Sequence, residues 1–300
     1  MVQPPYLRKG DKIAIVSPAR KITFEEVFPA MKLFEKWGFE VVLGTHVFGT
    51  NHQFSGTDEQ RLQDLQQMLD DPTIRAVISG RGGYGTVRII DKLDFTKFSQ
   101  HPKWIIGYSD VTVLHSHIHR NFGIQTLHAT MPVNMKESDT ESVSIESLRK
   151  SLTGEKISYT KHITFHDRTG LTEGLLVGGN LSILNSLMES PSDIVTEGKI
   201  LLLEDVDEYL YHVDRMMINL KRAGKLKHLK GLIVGGMTDM KDNEVPFGKN
   251  AEEIIVEAVS EYHYPVCFDF PAGHGKENVS LFLGRQAKLI VDEEVSLLFH

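Results

Sequence analysis

A single cysteine, Cys267, stands in a chain of 300 residues, so no internal disulfide can form. It lies in the apolar run YPVCFDF, a setting that suits a packed thiol better than a reactive one. No run approaches the roughly 18 apolar residues that a membrane-crossing helix needs. The opening stretch, MVQPPYLRKGDKIAIVSPA, lacks the charged-then-apolar build of a secretory signal, and Ile13–Val16 reads as a first strand. The expected location is therefore cytoplasmic. Basic residues are scarce too: 33 Lys and Arg face 40 Asp and Glu, a formal charge of −7. The richest basic patch, Lys221–Lys230, is interleaved with Leu and His like a solvated helix end, which argues against a nucleic-acid partner. No His-Glu-x-x-His occurs. His115 and His119 share a helix face but read as packing or surface groups, and no metal or other cofactor is expected.

With 41% hydrophobic residues, the chain can bury a substantial core. Its first half alternates strand and helix signals. Strands are expected at 12–17, 40–43, 76–79 and 104–107. Helices are expected at 24–37 and 58–69, the second with Leu62, Leu65 and Leu69 at helical spacing, and one begins near Thr86. Such alternation argues for a parallel sheet covered on both faces. Residues 136–170 are polar and serine-rich, with a short helix near 144–152 and an exposed strand in ISYTKHITF. They read as a linker region between residues 1–135 and 171–300. In the second half, strands are expected at 198–203, 231–235 and 266–270, with a helix at 208–223 stopped by Gly224.

Four stretches have the makings of a site. In IIGYSDVTVLHSHIH a strand ends at Gly107, Ser109 follows, and a helix begins. Ser109 is either a helix cap or a nucleophile held clear of its own backbone on a strand–turn–helix corner. Asp110 is followed by valine, so the full G-x-S-x-G signature is missing. In SGRGGYG four glycines crowd the end of another strand, where backbone N–H groups can approach a phosphate or an oxyanion. No Walker Lys-Ser/Thr follows, and no acidic residue is placed for a dinucleotide ribose. In KILLLEDVDE the strand ends on Glu204, placed either to orient a base or to cap. Asp205, Asp207 and Glu208 read as acids of the next helix's first turn. In PAGHGK, His274 stands between two glycines, a turn residue or a base able to project into a cleft.

Taken together, GYSD, ILLLE and GHG, with GDKIAIVSPA, RGGYG, GLLVGGNLSIL and GRQAKLIVD, resemble the LD-carboxypeptidase family of serine peptidases. That family includes muramoyltetrapeptide carboxypeptidases and microcin C immunity peptidases. The resemblance runs from about Pro5 to Val291 and implies an α/β fold. Its N-terminal domain is a flavodoxin-like parallel sheet, its C-terminal domain is smaller and β-rich, and the active site lies between them. It implies a Ser109–His274–Glu204 triad, with an oxyanion hole from the backbone of Asp110 and of Gly82 or Gly83. The implied reaction is release of terminal D-alanine from a cytoplasmic murein tetrapeptide in cell-wall recycling, by a homodimer. Arg81, Glu173 and Asn180 are candidates for substrate binding. Two departures stand out. His128-Ala129-Thr130-Met131 replaces the family's usual H-G-P-M, and HDRTGLT lacks the tryptophan expected beside an aminoacyl-nucleotide substrate. An immunity-type peptidase and a binding protein without chemistry are the alternatives.

Overall fold

The computed structural model describes residues 1–136, 138 and 141–300. The first half runs β1 (Lys12–Val16), α1 (Phe24–Lys36), β2 (Glu40–Leu43), α2 (Asp58–Asp70), β3 (Ile74–Ser79), α3 (Thr96–Gln100), β4 (Trp104–Gly107), α4 (Thr112–Phe122) and β5 (Thr126–His128). Local chemistry sets the ends. Thr23 with Glu26, and Thr57 with Gln60, form reciprocal capping boxes on α1 and α2. Gly123 closes α4 in the left-handed conformation. The helix expected near Thr86 is instead two short 3₁₀ turns, Thr86–Arg88 and Ile90–Lys92.

The strands pair in the order 2-1-3-4-5, all parallel, which is the flavodoxin-like arrangement. Side chains alternate across this sheet. Ile13 and Ile15 join Phe34 and Trp104 on one face; Ala14 and Val16 join Leu65 and Ile105 on the other. Both faces are therefore buried, as the unbroken apolar strands predict.

The second half runs α5 (Val143–Thr153), β6 (Ser158–His162), β7 (Gly170–Asn180), α6 (Leu181–Ser186), β8 (Ile200–Val206), α7 (Leu210–Arg222), β9 (Gly231–Thr238), α8 (Ala251–Ala258), β10 (Val266–Cys267), β11 (Leu281–Leu283), β12 (Gln286–Val291) and β13 (Glu294–Phe299). Its sheet has the order 10-9-8-7-12-13-6. The 10-9-8-7 side is parallel and the 7-12-13-6 side antiparallel. The long β7 changes partners midway, from β12 at residues 170–175 to β8 at 176–180. Cys267 is fully buried in β10, where desolvation holds its thiol protonated.

β11 does not stay with this second sheet. It pairs antiparallel with β5 at the edge of the first. Phe282 packs into the first sheet's core beside Trp104, while Leu281 and Leu283 enter the second sheet's core. The Arg285 guanidinium covers the Phe282 ring at 3.6 Å. Phe282→Ala should cost about 3–5 kcal/mol, the usual price of a large buried aromatic. Urea unfolding should show it as a lower midpoint, and a loss under about 1 kcal/mol would mean that β11 is not a structural clamp.

Candidate active site

The parallel strands of the two sheets end toward a common cleft of about 530 Å³, lined among others by Ser109, Gly82, Gly83, Asn180, Asp205 and His274. Ser109 sits just past β4. Gly107 has φ +147°, and a β-carbon there would press on Val111. Ser109 itself adopts φ +61°, a left-handed conformation that costs a non-glycine residue about 1–3 kcal/mol. No side-chain bond caps either the 3₁₀ turn Ser109–Val111 or α4. The strained serine is thus not spent on its helix.

The glycine turn after β3 lies directly over it. A β-carbon on Gly82 would stand 2.8 Å from Ser109 Cβ and 2.9 Å from its Oγ. Gly83 has φ +108°. Asp110 ties the two loops together: it is fully buried, and its Oδ2 accepts from Thr86 N at 2.8 Å. Desolvation raises its pKa. Arg61, 2% exposed, donates to the carbonyls of Pro18 and Gly85 and pairs with Asp58, so it braces the same turn from below.

Across the cleft, His274 Nδ1 lies 2.6 Å from Glu204 Oε2, and the His274 backbone N–H donates to the same oxygen at 3.2 Å. Glu204 is fully buried. The pairing register of β8 shifts between Leu203 and Asp205, so Glu204 sits at an irregularity that re-aims side chains. Glycine makes the room, since a β-carbon on Gly273 would run into the Glu204 carboxylate and one on Gly235 into Ala272 O. The Tyr108 ring packs edge-on to the imidazole at 4.8 Å. Burial pushes the His274 pKa down, but the bond to Glu204 and the charges of Glu204 and Asp205 outweigh it, and the net shift is upward. No direct hydrogen bond joins Ser109 to His274. Such contacts are often long in free enzymes.

The other candidate residues divide. Arg81 lines the cleft and reaches Glu26 at 3.3 Å. Asn180 also lines it, but its amide is occupied: it caps α6 through Ile183 N and donates to Asp205 Oδ1 at 2.8 Å. Glu173 lies seven residues back along β7, about 23 Å at strand rise. It faces Lys288 at 3.3 Å and is not among the cleft-lining residues. Asp205 corrects its expected place in the first turn of α7. It belongs to β8, is buried, and accepts from Asn180 Nδ2 and from Ser182 N at the start of α6. Burial, with the charge of Glu204, raises its pKa to about 6. Arg20, Tyr108 and Asn134 also line the cleft and were not marked by sequence; Tyr108 and Arg20 had a signal in their closeness to Ser109 and to the end of β1.

The histidines after the elbow form a buried row. His115 Nε2 donates to Gly107 O at 2.9 Å, and His128 lies between Tyr108 and His115. Burial lowers their pKa values, to about 4 for His115 and about 3 for His128, so both are neutral packing groups. No group of three potential metal ligands occurs among the described residues.

Family models describe the two halves: residues 13–129 match the LD-carboxypeptidase N-terminal domain and residues 173–289 its C-terminal domain. A probable murein peptide carboxypeptidase of Bacillus subtilis is 31% identical over 299 residues, 99% of this chain and 94% of that protein. The crystal structure of a muramoyltetrapeptide carboxypeptidase from Oxalobacter formigenes superposes with a TM-score of 0.87 at 27% identity, covering 96% of this chain and 98% of that one. A microcin C7 self-immunity protein shares the fold, with a TM-score of 0.87 at 23% identity over 100% of this chain and 98% of that one.

In an NMR titration the His274 ring should show a midpoint above its ordinary 6.5. Glu204→Gln removes the charge that raises it, so the midpoint should fall. An unchanged midpoint would show that Glu204 does not set the charge state of His274.

Proposed function

The chain belongs to the LD-carboxypeptidase family, and from that premise we propose that it releases terminal D-alanine from murein tetrapeptides, as a step of cell-wall recycling. The observation that carries this reading is the His274–Glu204 pair facing the strained Ser109 across one cleft. Ser109 Oγ attacks the scissile carbonyl of the peptide bond before D-alanine. His274 accepts the hydroxyl proton on Nε2, since Nδ1 is held by Glu204, and returns it to the leaving amine. Water then hydrolyses the acyl-enzyme by the same relay. Glu204 fixes the tautomer and stabilises the imidazolium. The backbone N–H of Asp110 and one of the Gly82–Gly83 pair receive the oxyanion; a donor of this kind typically contributes a factor of about 10²–10³ in rate.

In this reading residues 1–135 supply the nucleophile, 171–300 supply the base and its orienter, and 136–170 link them. Arg81 and Asn180 stand where substrate passes, with Asn180 acting through Asp205. The enzyme is proposed to act in the cytoplasm and as a homodimer. No helix among the described residues is long and apolar enough to cross a membrane. An aromatic clamp near residues 160–175 would favour an immunity-type peptidase; there Phe165 is 96% exposed, with its ring against that of His166.

The test is mass spectrometry of L-Ala-D-Glu-diaminopimelate-D-Ala incubated with wild type and with Ser109→Ala. Wild type should release D-alanine, and the variant should be slower by about 10⁶-fold, as in other serine triads. Inert wild type, with the lysine peptide also uncut, would overturn the assignment. The rate against pH should fall on the acid side as His274 gains its proton, with a midpoint above 6.5. Glu204→Gln should move that limb to lower pH while lowering the plateau. A limb that stays in place would remove His274 as the titrating base.

A further inference from the structure

A carboxypeptidase must recognise a free carboxylate one residue beyond the bond that it breaks. The end of β1 offers a cation for this. Arg20 lines the cleft with Ser109, and its stem lies on Gly83: a β-carbon there would stand 2.9 Å from Arg20 Cβ and 3.3 Å from Cδ. Gly82 carries Ser109 in the same way. Adjacent Cα atoms are about 3.8 Å apart, so one glycine turn packs against both the Ser109 side chain and the Arg20 stem, and both residues line the same cleft. Arg81 is already paired with Glu26, whereas Arg20 is exposed and makes no ion pair with any described residue.

Beyond the two arginines the cleft continues into a second compartment of about 550 Å³, and both arginines line it too. Its walls include Ile22, Phe24 and Phe48, together with the polar Lys21, Thr23, Glu26 and Thr50. Phe24 and Phe48 meet edge to face at 5.8 Å and are 45% and 36% exposed, an uncovered aromatic pair. A methyl group has no use for such a space.

We propose that Arg20 binds the terminal carboxylate of the leaving residue, and that the Phe24–Phe48 compartment receives its side chain, so that the enzyme releases large apolar D-residues as well as D-alanine. The inference rests on the carboxypeptidase reading and extends it to the leaving-group side. The geometry favours it because the carboxylate and the side chain leave one Cα in different directions. A cation at the partition, with a chamber behind it that carries two aromatic rings on its wall, suits that branching.

The experiment compares tetrapeptides L-Ala-D-Glu-diaminopimelate-D-Xaa, with Xaa as Ala, Met or Phe, and the D-Ala carboxamide. Wild type should cut the Met and Phe peptides with kcat/KM within about tenfold of the Ala peptide, and should discriminate against the carboxamide by about 10²-fold or more. Arg20→Ala should raise KM for the acids and bring the acid-to-amide ratio within about threefold of unity; Arg20→Lys should restore part of that ratio. Phe24→Ser/Phe48→Ser should lower the Phe-to-Ala ratio about tenfold. Release of D-alanine alone, with Met and Phe peptides uncut, overturns the side-chain compartment. An acid-to-amide ratio unchanged in a folded Arg20→Ala protein overturns the anchor. No release from any acid peptide by wild type overturns the carboxypeptidase reading itself, and this inference with it.

Discussion

The arrangement of the second half turns on one buried contact, the bond between Glu204 and His274. A carboxylate with no solvent exposure is costly to bury, by several kcal/mol even in a relaxed protein, and it needs compensating donors. Here one oxygen receives both the ring and the backbone N–H of the same residue. That double contact fixes where the His274 loop runs. Gly273 and Gly235 then follow as necessities, because any side chain at either would occupy the space needed by the carboxylate or the adjoining backbone. Tyr108, arriving from the other half, closes the packing on the imidazole.

Around that contact the two sheets present the carboxyl ends of their parallel strands to each other. In an open α/β sheet this is where loops diverge and leave a crevice. Each loop here is pinned by a buried ionisable side chain from another element. Asp110 holds the 3₁₀ turn at Thr86, Arg61 holds Pro18 and Gly85, and Asp205 holds the start of α6. The Ser109 conformation persists against its own strain because its neighbours on both sides are fixed in this way.

The sequence made the first sheet largely readable. Its strands are short apolar runs, the inner ones buried on both faces, and are separated by amphipathic helices with clear caps, so β2 and β4 could be placed to the residue. The triad candidates were readable from punctuation: a glycine two before Ser109, an acid closing an apolar run at Glu204, glycines on either side of His274. What escaped was decided by distant partners. β11 is three residues long and owes its place to β5, more than 150 positions away. Asp205 and Asp207 look alike in sequence, yet one is 1% exposed beneath α6 and the other is solvated beside Lys241. Glu173 lies on the same strand as Asn180, and only the length of β7 separates it from the cleft. Arg20 carried no periodicity at all, and its place depends on a glycine turn some sixty residues later.

β11 also sets the order in which the molecule can be completed. The first five strands are finished by His128, but the edge that β11 covers stays open until residue 283 has been made. His274 is synthesised only just before that strand. Ser109 and His274 are thus separated by more than half the length of the chain, and the cleft that both line cannot close until both have been made. β11 follows His274 by only a few residues, so one late segment covers this edge of the first sheet and, in the proposed reading, delivers the base as well.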